Sequence, residues 1–189
     1  MFFLVCLFSA AASLTAGQNG AKVVEVIVPA VNSQSMNRVL KRAEGIAADI
    51  FSQIGLQVRW RLRESQPRGP RKEPIRRTIL VVFSWNTPDN LHPGAMAFSQ
   101  PYAVGGASMT VFMDRFELMG GSNPTLTAAL LGHVLAHEMG HVLQRTEHHS
   151  ASGVLKARWS QAEILKMAWE PLRFTDYDAR LILEGIRGE

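Results

Sequence analysis

The chain has 189 residues, of which 47% are hydrophobic, 19% charged and 8% aromatic, which excludes a disordered or fibrous chain and suffices for one domain with a core of its own, hardly for two. The net charge is +4, and much of the excess lies between Arg59 and Arg77, where Arg59, Arg61, Arg63, Arg68, Arg71, Lys72, Arg76 and Arg77 stand against Glu64 and Glu73. With only Trp60 as a neighbouring aromatic, that stretch reads as a solvated loop flanked by strand ends, not as a nucleic-acid surface.

The N-terminus, MFFLVCLFSAAASLTAG, is a short apolar run followed by small residues. This is the pattern of a secretory signal over residues 1–16. It is shorter than the about 20 apolar residues a membrane span needs, and no second candidate span follows, so no stable membrane span is expected once the signal is removed. The single cysteine, Cys6, lies inside that segment. The expectation is a secreted or periplasmic protein whose residues 17–189 form one domain, with no disulfide, no thiolate nucleophile and no Cys ligand for a metal.

Lys22 to Val31 alternates and is rich in β-branched residues, which predicts a strand. Ser33 or Ser35 can cap a helix over about Met36 to Ile54, with Val39, Ala43, Ile46, Ala47, Ile50 and Ile54 at helical spacing and Gly55 as a stop. Leu56 to Leu62 alternates again and predicts a half-buried strand. Arg63 to Arg77 carries Pro67, Gly69, Pro70 and Pro74 and reads as a loop. Thr78 to Trp85 is a nearly continuous apolar run, suited to a strand covered on both faces. A short strand is expected over Ala95 to Ser99 and another over Ala107 to Asp114. The order is an α/β layout with a mixed sheet and helices packed on it.

The next segment, Leu126 to His149, carries the chemistry. Ser122 or Asn123 can cap a helix with Pro124 at its first position, running to about Leu143 or Gln144. Its apolar residues surround most of the circumference, so it is expected to be central and buried. Inside it stands His137-Glu138-Met139-Gly140-His141, an H-E-x-x-H motif. Histidines at i and i+4 share one helical face and can turn their imidazoles toward one ion, while Glu138 can reach a water on that ion. A catalytic zinc takes three protein ligands. The nearest candidates for the third are Glu147, His148 and His149, just past the helix. His133 stands in the same row one turn earlier and reads as a hydrogen-bonded core histidine. Downstream, Ser160 with Glu163 forms a capping box for a helix from Gln161 to about Trp169, and Thr175 with Asp178 resembles a second cap, for a helix ending near Gly185.

This stretch resembles the zinc helix of the metzincin metallopeptidases, whose pattern is H-E-x-x-H-x-x-G-x-x-H/D followed by a turn holding a methionine beneath the zinc. The order of strands and helices before it is also similar, and His149, Ser150, Gly153, Val154 and Leu155 resemble the matrixin branch. The resemblance implies a zincin-like fold: a mixed twisted sheet with an antiparallel edge strand, a backing helix, a central zinc helix and a small helical C-terminal part. It implies one catalytic Zn²⁺, with His137 and His141 as ligands and His149 favoured as the third, ahead of His148 and Glu147. It implies peptide-bond hydrolysis with Glu138 as general base and a peptide or protein substrate paired with the edge strand, for which Ala95 to Ser99 is the candidate, bordered by Tyr102 to Gly106. The chain departs from the pattern in three places. Gln144 stands where the family has glycine, His149 follows His141 by eight residues against the family's six, and Leu155 stands at the methionine. Two other readings stay open: a gluzincin-type enzyme with Glu163 or Glu170 as third ligand, and a secreted binding module on a zincin scaffold without turnover.

Overall fold

The computed structural model describes residues 22–63, 78–89, 94–102, 106–120 and 122–187. The expected signal segment and most of the basic loop lie outside these described residues. Five strands form one sheet: β1 (Lys22–Val28), β2 (Leu56–Leu62), β3 (Thr78–Ser84), β4 (Ala97–Gln100) and β5 (Ser108–Phe112). Their order is β2-β1-β3-β5-β4. The pairs are parallel except the last, in which β4 runs antiparallel to β5 with Ser99 opposite Met109. The helices are α1 (Gln34–Ser52), α2 (Met113–Gly120), α3 (Pro124–Gln144), α4 (Gln161–Lys166) and α5 (Asp176–Arg187). This is the mixed α/β architecture the order of elements predicts. None of the helices among the described residues is long and apolar enough to cross a membrane.

Period-two alternation sets which side of each strand is inward. Val24, Val26, Val28, Ile79, Val81, Met109 and Val111 are fully buried and join one cluster with the inner faces of α1 and α3. On the other face, Glu25 is buried and accepts from Arg61 Nη1 at 3.0 Å. One of the outward arginines of β2 thus stabilises the sheet itself.

Helix α1 begins two residues earlier than the apolar spacing suggests, because Ser33 acts as N-cap and accepts from Met36 N at 3.3 Å. Helix α2 was not anticipated. Sequence alternation extends the strand to Asp114, but β5 ends at Phe112 and Met113 starts a helix. Asp114 sits in its first turn, where a carboxylate complements the helix dipole, and also accepts from Thr87 Oγ1 at 2.9 Å.

Helix α3 is the centre of the molecule. Asn123 Oδ1 accepts from Thr125 N and Leu126 N, both at 3.1 Å, and Pro124 occupies the first turn. From Thr127 to Leu143 every residue but His137 is buried. Two glycines set how closely other helices approach it. A Cβ at Gly132 would stand 2.8 Å from Ile46 Cβ and 2.9 Å from the Ala43 carbonyl oxygen of α1. A Cβ at Gly185 of α5 would collide with the Leu143 carbonyl oxygen.

Gly→Ala inside a helix gains about 1 kcal/mol in intrinsic propensity. Overpacking costs about 1–3 kcal/mol, more when the opposing atom is backbone. Gly132→Ala is therefore expected to be net destabilising by about 1 kcal/mol, and Gly185→Ala by more, in denaturant unfolding. An unchanged or raised midpoint for Gly185→Ala contradicts the close crossing of α5 on α3.

Candidate metal centre

Helical spacing puts His137 and His141 on one face of α3, and the chain reversal beyond the helix returns His149 to the same place. Donor atoms of the three lie within 4.8 Å of one another. The ring centroids of His149 stand 5.3 Å from those of His137 and 4.8 Å from those of His141. Among the described residues this is the group of potential ligand side chains that converges.

Backbone carbonyls decide which nitrogens face inward. His137 Nδ1 lies 2.8 Å from the Val154 carbonyl oxygen, and His141 Nδ1 lies 2.9 Å from that of Thr146. A carbonyl only accepts, so each Nδ1 carries the proton and each Nε2 presents a lone pair. Burial, then the charge of His141, pushes the His137 imidazole down to about 4. Burial likewise lowers His141 and His149. Both helical rings are thus neutral near pH 7, and their Nε2 atoms face each other at 3.0 Å. Neither has a proton to donate to the other. A cation between them removes the lone-pair repulsion. Two nitrogens about 2.0–2.1 Å from one tetrahedral ion stand about 3.3–3.4 Å apart, close to the spacing here. Three neutral imidazoles are a donor set suited to zinc.

Glu138 is 8% exposed. Burial pushes its carboxyl up to about 7, against an opposing hydrogen bond from the Ser99 side chain. Ser99 belongs to β4, so the edge strand touches the carboxylate directly. Beside them opens a cleft of about 570 Å³, walled by Met96, Ala97, Val134, Trp159 and Ile164 and lined also by His137, Glu138 and His149. Trp159 holds its wall position by donating from Nε1 to the Gly153 carbonyl at 3.2 Å, and its ring meets His137 edge-on with centroids 5.6 Å apart.

The three departures from the metzincin pattern have a local explanation. Helix α3 continues through Gln144, and the left-handed residue that ends it is Arg145, with φ 55°. The reversal therefore falls one residue after the position where the family has glycine, and the following turn is correspondingly longer. It closes through Ser150 N donating to the Leu155 carbonyl at 2.8 Å. Leu155 is fully buried and lies against Gly140, whose added Cβ would stand 2.9 Å from Leu155 Cδ2. An aliphatic side chain thus packs against α3 at the residue next to His141.

The other candidates are engaged elsewhere. His148 is exposed, and its ring meets Tyr177 edge-on at 6.0 Å. Glu147 is exposed and stands outside the convergent group, although its charge is felt at His141 and His149. Glu163 accepts from Lys156 Nζ at 2.8 Å and from Ser160 N at 2.6 Å, completing the expected capping box. Glu170 lies 3.8 Å from Lys166. His133 is the core histidine expected: its Nδ1 faces the Ala129 carbonyl at 2.7 Å, and its Nε2 accepts from Leu172 N at 2.9 Å. Tyr102 donates to the Arg145 carbonyl at 3.0 Å. Ser99, Trp159 and the carbonyls of Val154 and Thr146 escaped the sequence reading. Carbonyls leave no trace in residue type, and a serine in a four-residue strand carries no motif.

The sheet order, the antiparallel edge strand and the central histidine-bearing helix define a zincin-like fold. The crystal structure of archaemetzincin from Methanopyrus kandleri superimposes with a TM-score of 0.54 at 15% identity, over 89% of this chain and 98% of that one. No protein-family model and no curated protein matches the sequence.

Two outcomes check the ligand assignment. His149→Ala is expected to weaken zinc binding by at least about tenfold, the scale seen even for outer-shell losses, while His148→Ala leaves it near wild type in a competition titration with a chromogenic chelator. Glu163→Gln is expected to keep the metal. The hydrogen bond from Lys156, then that from Ser160, lowers the Glu163 carboxyl from 4.5 to about 2. A carboxyl depressed in the folded state stabilises the fold above its unfolded pKa, and the contribution is lost as pH falls through the folded one. Wild type should therefore lose stability between pH 4.5 and 2 more steeply than Glu163→Gln. Parallel pH curves, or loss of zinc in Glu163→Gln, contradict this placement.

Proposed function

We propose that the protein is an exported zinc-dependent metalloendopeptidase of metzincin type that hydrolyses peptide bonds, with His137, His141 and His149 as metal ligands and Glu138 as general base. The observation that carries this reading is the convergence of three histidines, two with Nε2 lone pairs directed at each other, beside a buried carboxylate lining an open cleft. Export rests on the signal-like segment over residues 1–16.

Zinc, when bound, supplies Lewis acidity that polarises a scissile carbonyl and makes water nucleophilic near neutral pH. The chain's own residues do the rest. Glu138 takes the proton of the attacking water and passes it to the leaving amine; a carboxyl held near neutrality can act in both directions. Ser99 donates to that carboxylate from the edge strand. Strand β4 pairs with β5 on one side and lies at the end of the sheet, so its outer side can receive an extended peptide by main-chain hydrogen bonds. The apolar wall of Met96, Val134, Trp159 and Ile164 receives a substrate side chain. The partner is a peptide or protein, not a nucleic acid.

The matching experiment is hydrolysis of an unfolded protein by the zinc-loaded enzyme. Glu138→Gln is expected to retain one equivalent of zinc and to lose about 10²–10⁴-fold in kcat, the range of general-base catalysis; a chelator should abolish the wild-type activity. Wild-type rates in Glu138→Gln sink the mechanism. Stoichiometric zinc with no cleavage of any unfolded substrate supports instead a zincin-fold binding module, the reading that Gln144 and Leu155 favour by departing from the family pattern.

A further inference from the structure

The turn that delivers His149 is two residues longer than the family spacing, and something must hold it. The candidate lies on α5, in a residue no part of the proposed chemistry uses. Asp178 is completely buried. Its Oδ1 accepts from Ser150 Oγ at 2.7 Å, and Ser150 is the residue directly after His149. Its Oδ2 accepts from Thr175 Oγ1 at 2.6 Å and from Thr175 N at 3.3 Å. Its backbone carbonyl accepts from Gln144 Nε2 at 3.2 Å, at the last residue of α3. One residue therefore links the end of the metal-bearing helix, the turn after the third histidine and the first turn of α5.

The charge points the same way. Burying a carboxylate is costly unless it is hydrogen-bonded and its charge is balanced. The hydrogen bonds are present, but the ion pairs among the described residues that involve Lys or Arg do not include Asp178. Its charge is felt at His137 and His141. A divalent ion held by those histidines would place positive charge within the field of this carboxylate.

We propose that Asp178 is a positioning residue for the metal centre: it straps the elongated turn carrying His149 to α5, and its carboxylate balances the charge of the ion the three histidines hold. The inference rests on the metal-binding reading above. It accounts for Gln144, which replaces the family's glycine and gains a tie to Asp178 in exchange. It also accounts for the close seating of α5 on α3 at Gly185, which brings Asp178 within reach of the turn.

The test is zinc affinity of the full chain, measured by chelator competition well below the unfolding temperature of every variant, alongside thermal unfolding with and without zinc. Outer-shell partners of metal ligands are worth about 10–100-fold in metal affinity. Asp178→Asn should weaken zinc binding within that range, Ser150→Ala by about tenfold, and Ser150→Thr, which keeps the hydroxyl, should stay near wild type. A merely structural Asp178 lowers the unfolding temperature of the metal-free and zinc-bound forms alike and leaves the affinity of the folded protein unchanged. Affinities within about threefold of wild type for both Asp178→Asn and Ser150→Ala overturn the inference while leaving the metal centre standing. A wild-type chain that binds no zinc, or binds it equally well as His137→Ala, overturns both. Ser150 is partly exposed, so Ser150→Ala decides the matter even if Asp178→Asn does not fold.

Discussion

Two hydrogen bonds from imidazole Nδ1 to main-chain carbonyls hold the site in its chemical state. The carbonyls of Val154 and Thr146 leave the protons of His137 and His141 no alternative position, so both Nε2 lone pairs point into the same small space. Everything around them serves that constraint. Val154 is fully buried, and its N donates to the Arg173 carbonyl at 3.0 Å, which ties the loop beneath the histidines to the segment leading into α5. Thr146 follows the left-handed Arg145, so the turn that ends α3 also sets the carbonyl that orients His141.

The reactive side of the centre is built by burial. Helix α3 is apolar around nearly its whole circumference, which forces it into the middle of the molecule and takes Glu138 with it. A carboxyl in that position loses water and rises toward neutrality, and the Ser99 hydroxyl from β4 moderates the effect. The same contact joins the edge strand to the carboxylate. The surface that can pair with an extended chain and the group that can move a proton are therefore neighbours by construction.

Much of the scaffold is legible in residue pattern. Strands β1, β2 and β3 follow from alternation or from a continuous β-branched run, and α3 and α4 follow from Asn123-Pro124 and from the Ser160–Glu163 box. These signals are local: a cap or an alternation acts within a few residues of itself. Helix α2 is the counterexample. Its eight residues, MDRFELMG, carry no cap comparable with Asn123, and the preceding strand pattern runs on into them. What ends β5 at Phe112 is the packing of Met113 and Phe116 into the core, both fully buried, and that is a tertiary event.

The site divides along the same line. His137, Glu138 and His141 are determined by sequence alone, because a spacing of four on a helix is a spacing in space. The third position is not. Glu147, His148 and His149 are consecutive, all three are exposed at the surface, and all are chemically able to bind a metal; no pattern of residue types separates them. Only the reversal at Arg145, the closure of Ser150 onto Leu155 and the tie of Ser150 to Asp178 set the exposed His149 ring beside His137 and His141 and leave His148 against Tyr177. The tie of Ser150 to Asp178 joins residues 28 apart in the chain, and a choice made between such distant segments exists only once the chain has folded.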